Sequence, residues 1–259
     1  MNQISTDNSQ KISDRSTVAP ERRLRPAIVQ SVELLTPHMK RITVKMDDVE
    51  EFSVDSYGQW VKLFLPREGD QKLVGRAYTI CSYRDAAGEL DLDFVLHSHG
   101  ALSDWAASAQ VGDRIDVAGP RSGFRISEAT GHLLIGGDET ALPAIRSIIE
   151  ALPPTVEVDA FIEIPDVRDM QPISSQAALS LTWLPRSGPT AQPADALCNA
   201  MINADFSDTE SELWFAAEAQ PVRIVRKHYL ADRKISKSRV TVSGYWKRGV
   251  DDFRDDTNA

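Results

Sequence analysis

The chain has 259 residues, 42% hydrophobic and 26% charged, a globular composition sufficient for one large domain or two ordinary ones. No run approaches the roughly 18 consecutive apolar residues of a membrane span, and residues 1–25 lack the apolar stretch of a secretory leader. A net charge of −9 argues against general nucleic-acid binding, and two cysteines, Cys81 and Cys198, are too few for a disulfide framework or a Cys-rich metal site, so a reduced, cytoplasmic setting is expected.

Residues 1–25 are rich in Ser, Asn, Gln, Asp and Lys without apolar periodicity, which predicts a flexible arm. From Pro26 short alternating runs take over. Polar and apolar residues alternate over 41–46 and 90–94, the pattern of half-buried strands. Residues 61–65 and 77–83 are rich in β-branched and aromatic side chains, which also suits strands. Gly58, Gly75, Gly88 and Gly119-Pro120 fall at turn-like spacing, and one short helix is expected at 103–109. The stretch 26–127 reads as a small antiparallel β-barrel, within a domain bounded at 26–130.

After His132 the rhythm changes. A short buried strand at 133–135 runs into Gly136-Gly137, and the helix that follows carries Leu142, Ile145, Ile148, Ile149 and Leu152 on one side. Strands at 156–164 and 179–184, a helix at 194–204, a strand at 213–217, a helix at 221–231 and a strand at 240–246 complete the series. Such alternation predicts a doubly wound parallel sheet over 131–249, covered on both faces, with ligands at the carboxyl ends of the strands. Residues 250–259 are acidic and expected to be loose.

Three runs carry chemistry. In Arg76-Ala77-Tyr78-Thr79, alternation sets Arg76 and Tyr78 on one face of a strand and Ala77 and Thr79 on the other. A guanidinium bridges phosphate oxygens, an aromatic ring stacks on a planar heterocycle, and a Thr hydroxyl hydrogen-bonds a ring nitrogen. An ordinary exposed strand accommodates the same four residues. In 94–106, a strand through His97 gives way to His99-Gly100-Ala101-Leu102-Ser103, which opens a helix containing Trp105. A glycine followed by free amides at a helix start is an anion site, where Ser103 either caps the helix or donates to a phosphate. His97 and His99 do not complete a metal ligand set, so His97 is read as structural or cofactor-contacting. The third run, from Gly136 to Ala144, sits at a strand-to-helix junction but is not the G-x-G-x-x-G fingerprint. Separately, residues 223–248 carry nine basic side chains and one acid, a segment of +8 in a chain whose remainder is −17. Either a small anion docks there or the segment is a solvated helix face with a basic last turn.

Taken in order, Arg76-Ala-Tyr-Thr, Asp93-Phe-Val-Leu-His97, Gly100-x-x-Ser103-x-Trp105-Ala106, Gly112-Asp113, Gly119-Pro120-Arg121, Gly137-Asp-Glu-Thr-Ala-Leu-Pro-Ala144 and Gly244-Tyr-Trp-Lys-Arg-Gly249 resemble the siderophore-interacting proteins. These are flavin-dependent ferric-siderophore reductases of the ferredoxin-reductase-like superfamily, and the resemblance covers residues 26–249. It implies an N-terminal antiparallel FAD-binding β-barrel followed by a doubly wound parallel-sheet NAD(P)H-binding domain. By the same resemblance, the run with Arg76 and Ala77 binds the FAD phosphates, Tyr78 packs on the isoalloxazine and Thr79 bonds near its N5. His97, Gly100, Ala101, Leu102 and Ser103 hold the ribityl-diphosphate part. Asp138, Thr140 and Ala141 lie where NADPH or NADH meets the flavin, and Tyr245 and Trp246 close the flavin site. One departure is Ala216-Ala217-Glu218 where the family often has Gly-Glu, an added methyl expected to weaken pyridine-nucleotide binding. Lys62, Lys247, Arg248 and Arg233, with Lys234 in reserve, are candidates to attract an anionic ferric siderophore. Arg223, Arg226 and Lys227 are rival candidates for the 2′-phosphate of NADPH. The implied reaction needs no amino-acid acid–base catalyst and no iron–sulfur cluster, and a monomer is expected. A general flavin reductase and a non-enzymatic siderophore-binding protein are the alternatives.

Overall fold

The computed structural model describes residues 23–66, 75–97, 100–250, 253 and 255. His99 and most of the expected arm lie outside the described residues. Arg25 belongs to no arm, because it opens the first strand and is buried.

Six strands, β1 (Arg25–Thr36), β2 (Met39–Met46), β3 (Trp60–Phe64), β4 (Gly75–Arg84), β5 (Glu89–Val95) and β6 (Arg114–Arg121), close into a barrel in the order β1-β2-β5-β4-β3-β6. Closure leaves no unpaired sheet edge. The alternation read from the sequence puts Ile42, Val44, Leu90, Leu92 and Phe94 inside. The outward carboxylates of β5 are buried as well, because neighbours cover them. Asp91 accepts hydrogen bonds from Thr43 and Arg84, and Asp93 from Arg41 and Arg146. Gly88 occupies a turn, whereas Gly75 and Gly119-Pro120 fall within β4 and β6, contrary to expectation. Helix α1 (Ala101–Ser108) joins the barrel core through Leu102 and Ala106.

The second half is a parallel sheet of β7 (His132–Gly137), β8 (Glu157–Ile164), β9 (Ala178–Pro185), β10 (Ser211–Glu218) and β11 (Val240–Trp246), in the order β11-β10-β7-β8-β9. Helix α2 (Leu142–Glu150) covers one face through the predicted stripe of Leu142, Ile145, Ile148 and Ile149. Helices α3 (Ala196–Asn203) and α4 (Ala219–Arg226) cover the other, over Leu134, Leu213 and Phe215. The strand order reverses beside β7, so the ligand crevice opens at the carboxyl ends of β7 and β10. No helix among the described residues is long and apolar enough to cross a membrane.

The two halves share packing and polar contacts. Met39 and Phe124 from the barrel belong to the α2 core, Gly58 N–H donates to Ser147 Oγ at 3.2 Å, and Arg146 on α2 reaches Asp93 on β5 at 2.6 Å. Thr36 Oγ1 donates to Asp169 at 2.7 Å on the same side of the junction. The C-terminal tail is not wholly loose. Asp255 accepts the Gly244 N–H at 2.6 Å and pairs with Arg226 at 2.9 Å.

Candidate functional site

On the barrel side the site grows from β4. Antiparallel pairing sets Arg76 opposite Leu63 and Tyr78 opposite Val61, while Ala77 stands opposite Lys62 and Thr79 opposite Trp60. Directly opposed residues share a face, so Arg76 and Tyr78 stand together, as alternation predicts. The Tyr78 ring lies 4.3 Å from that of Phe94 on β5, and Phe94 lies 5.7 Å from Trp105 on α1. Burial in this ladder of rings pushes the Tyr78 hydroxyl well above its ordinary range, against an opposing pull from Arg76. Thr79 is buried, and its hydroxyl makes no hydrogen bond among the described residues.

At the far end of the ladder α1 begins. Gly100 is its N-cap at φ +128, a backbone conformation that side chains rarely adopt, and no side chain among the described residues caps the helix. The amides of Ala101, Leu102 and Ser103 donate to no acceptor among the described residues, the arrangement that suits an anion. The Ser103 hydroxyl does not cap the helix. Its buried Oγ accepts the His97 N–H at 3.0 Å and lies 3.0 Å from the His97 carbonyl, tying the end of β5 to the helix. His97 is exposed, with its ring beside Gly100, where a Cβ would meet His97 Cε1 at 3.3 Å. A guanidinium, a run of uncapped helix amides, an aromatic platform and an unpaired hydroxyl form the donor set of a diphosphate joined to a planar ring. The residues present fit such a group.

On the sheet side the carboxyl ends of β7, β10 and β11 meet at Asp138. Its Oδ1 accepts Thr140 N–H at 3.0 Å and Thr140 O–H at 2.5 Å, and its Oδ2 accepts Glu218 N–H at 2.9 Å and the Trp246 indole N–H at 2.8 Å. Asp138 is 2% exposed and Ala141 fully buried, so of the three predicted contact residues only Thr140 is partly open to solvent. Burial, with Glu139 adding to it, pushes the Asp138 carboxyl up to about 6. Its contribution to stability is therefore complete below its ordinary value of 3.8 and is lost as pH rises through about 6. The Thr140 hydroxyl can turn and accept when that carboxyl is protonated. Gly136 and Gly137 answer to packing rather than to a nucleotide, for a Cβ on Gly136 would come within 2.5 Å of Met201 Sδ. Ala217 is buried in the cluster under α3 and α4, so its methyl does not narrow the crevice as expected. Tyr245 is exposed, edge-on to Trp214 at 6.5 Å.

The basic candidates divide by position. Lys247 and Arg248 are exposed just past the carboxyl end of β11, where Arg248 N–H donates to Glu218 Oε1 at 3.3 Å. Lys62 is half-buried on β3, its ammonium 5.6 Å from the Phe64 ring centre. Arg233 is misassigned by sequence reasoning. It bonds the Phe206 carbonyl at 2.8 Å and Asp208 at 2.7 Å, just before β10 begins, so it sits at the opposite end of the sheet from the crevice. Lys234 follows it there. Of the rivals, Arg226 pairs with Asp255 and Lys227 with Asp232, while Arg223 stays exposed on α4. Sequence reasoning missed Arg186, which follows β9 and bonds Glu139 at 2.7 Å and Glu163 at 2.8 Å. Its only signal was its place just beyond a predicted strand. A cleft of about 620 Å³ opens at the amino ends of the sheet. Its lining includes Glu157, Asp159, Asp205 and Glu210, so its charge opposes an anion and the site is assigned by chemistry rather than by volume.

A closed antiparallel barrel of six strands, followed by a parallel sheet of five strands with helices, is the ferredoxin-reductase-like architecture. A ferredoxin NADP+ reductase from Neisseria gonorrhoeae shares the fold at TM-score 0.63 and 15% identity, over 81% of this chain and 92% of that one. Residues 129–249 match the family model "Siderophore-interacting protein", and residues 28–74 and 67–124 match "Siderophore-interacting FAD-binding domain". Ferric vibriobactin reductase ViuB of Vibrio cholerae is 30% identical over 83% of this chain and 86% of its own length. A siderophore utilization protein from T. fusca is 31% identical at TM-score 0.80, over 92% of this chain and 97% of that one. The chain belongs to the siderophore-interacting protein family.

Proposed function

We propose that this protein is a FAD-dependent ferric-siderophore reductase that draws its electrons from NADPH or NADH. The observation that carries the reading is the barrel cradle, in which Arg76 and Tyr78 share a face and a ring ladder leads to the uncapped start of α1. Family membership and the similarity to the ferric vibriobactin reductase of Vibrio cholerae support the same activity. FAD, when bound there, would supply the redox chemistry that links a two-electron nicotinamide donor to one-electron reduction of Fe(III) in the substrate.

The chain's own residues bind and orient. Arg76 and the amides of Ala101 and Leu102 hold the diphosphate, with Ala77, His97 and Gly100 shaping the cradle and Ser103 bracing it from behind. Tyr78 supports the flavin ring, and the Thr79 hydroxyl serves a ring nitrogen. Thr140 borders the nicotinamide crevice, while Tyr245 and Trp246 close it from the sheet side. Lys247 and Arg248, with Lys62, draw in the anionic ferric siderophore. The functional division is residues 26–130 for FAD and 131–249 for NAD(P)H. One chain supplies every group invoked, so the proposed active species is a monomer, and its use of NAD(P)H sets it in the cytoplasm.

The test is the visible spectrum of the purified protein under anaerobic conditions. Flavin bands that bleach with NADPH or NADH and return on adding a ferric siderophore are the expected result. Absence of flavin bands after incubation with FAD overturns the reading, and equal turnover of free flavin and ferric citrate points instead to a general flavin reductase. Arg76→Ala is expected to weaken FAD binding by about 1.5–3 kcal/mol, roughly 10- to 150-fold in Kd by fluorescence titration, the worth of a charge-assisted hydrogen bond. Lys247→Ala with Arg248→Ala is expected to raise KM for an anionic ferric chelate about threefold to tenfold at low salt, the difference shrinking as ionic strength rises. Steady-state kinetics at two salt concentrations checks it.

A further inference from the structure

The geometry points to Asp138 as the positioning residue for the basic turn that docks the anionic ferric chelate, an inference that rests on the proposed function. Asp138 is buried and meets no ligand itself. Two routes lead from its Oδ2 to Lys247 and Arg248. The first is the Trp246 indole N–H at 2.8 Å, on the residue immediately before Lys247. The second is the Glu218 N–H at 2.9 Å, since the Glu218 side chain in turn accepts the Arg248 N–H at 3.3 Å. The turn itself closes through Val250 N–H to the Lys247 carbonyl at 3.1 Å.

The strand ladder alone does not hold this end. Pairing of β10 with β11 is regular from Leu213 to Ala217 and then shifts register between Ala217 and Glu218, so that Glu218 pairs with Trp246. At that irregular last rung, one buried carboxylate oxygen accepts a hydrogen bond from each of the two partners. The other oxygen is anchored by Thr140 at the entrance to α2. Both cations of the turn thus depend on a carboxylate whose remaining bonds belong to the nicotinamide side of the crevice. Charge-assisted hydrogen bonds of this kind give geometric precision that exposed lysine and arginine side chains lack.

The test compares Asp138→Asn and Trp246→Phe with the wild-type holoenzyme, using the ferric complex of a catecholate chelator. Trp246→Phe keeps an aromatic side chain and the buried carboxylate while removing the indole N–H, so it stays informative if Asp138→Asn fails to fold. Each change is expected to raise KM about two- to fivefold, no more than the loss of Lys247 and Arg248 does, Asp138→Asn with kcat within about twofold, and neither is expected to add anything further in the Lys247→Ala, Arg248→Ala background. Hydrogen exchange of the peptide spanning 244–250 is expected to speed up in both variants without any substrate present. An unchanged KM, a KM rise that multiplies with the loss of Lys247 and Arg248, or unchanged exchange overturns the inference. Failure of the wild type to reduce any ferric chelate removes the proposed function instead, and the exchange measurement still decides whether Asp138 positions the turn.

Discussion

Asp93→Ala is expected to lower stability by about 3–5 kcal/mol, the usual cost of breaking a buried ion cluster by removing one member. The Asp93 side chain is 1% exposed and takes Arg41 Nε at 2.7 Å, Arg41 Nη2 at 2.9 Å and Arg146 Nη2 at 2.6 Å. Arg41 comes from β2 and Arg146 from α2, so this carboxylate joins the barrel wall to the sheet's helix layer. The Asp93 hydrogen bond raises Arg41 above its already high ordinary value despite burial. Without Asp93 both guanidinium groups face each other at a half-closed junction with no carboxylate between them. Urea denaturation followed by far-UV circular dichroism measures the loss, and a change under about 1 kcal/mol would show that water replaces the carboxylate at little cost. The nearby Cys81 thiol, which burial and then Asp93 hold up at about 12, is expected to become more reactive toward a thiol reagent in the variant.

Gly137→Ala is expected to cost about 4 kcal/mol or more, beyond the usual 1–3 kcal/mol of overpacking, and to give little native protein. A Cβ at this position would collide with the Ala216 carbonyl oxygen and come within 2.7 Å of Ala141 Cβ. Neither can yield locally. Ala216 is paired with Gly137 across β7 and β10, and Ala141 is the fully buried residue at which α2 starts. The carbonyl belongs to the ladder that sets the crevice, so relief means breaking strand pairing. Gly131→Ala is the control, since a Cβ there meets nothing within 4 Å, and a change within about 0.5 kcal/mol is expected. Equal stability of the two variants would contradict the packing argument.

Most elements follow from neighbours along the chain. The alternation in β2 and β5 and the stripe on α2 were legible because period-2 and period-3.6 burial needs only a core on one side. Glycine was less legible. Gly88 makes a turn, but Gly75 carries the same turn-like spacing and instead opens a strand, its missing side chain leaving room for the Phe64 ring. The site was legible to the same degree. Alternation alone put Arg76 beside Tyr78, and the glycine before a helix marked the uncapped start of α1.

Three side chains show where that reading stops. Ser103, Asp138 and Arg233 each have the right chemistry for a ligand, yet each is satisfied by the protein itself. Arg233 shares a basic segment with Lys247 and Arg248 but lies at the far end of the sheet, because an intervening strand carries the chain from one rim to the other. Composition and periodicity record what a side chain can do and which face of its own element it takes. What lies across from it is decided only when distant segments pack. The hydrogen-bond donors to Asp138 make the point, since two of them come from residues 80 and 108 positions further along the chain. No local pattern encodes that meeting, and burying a carboxylate is tolerable only once all of its donors have arrived.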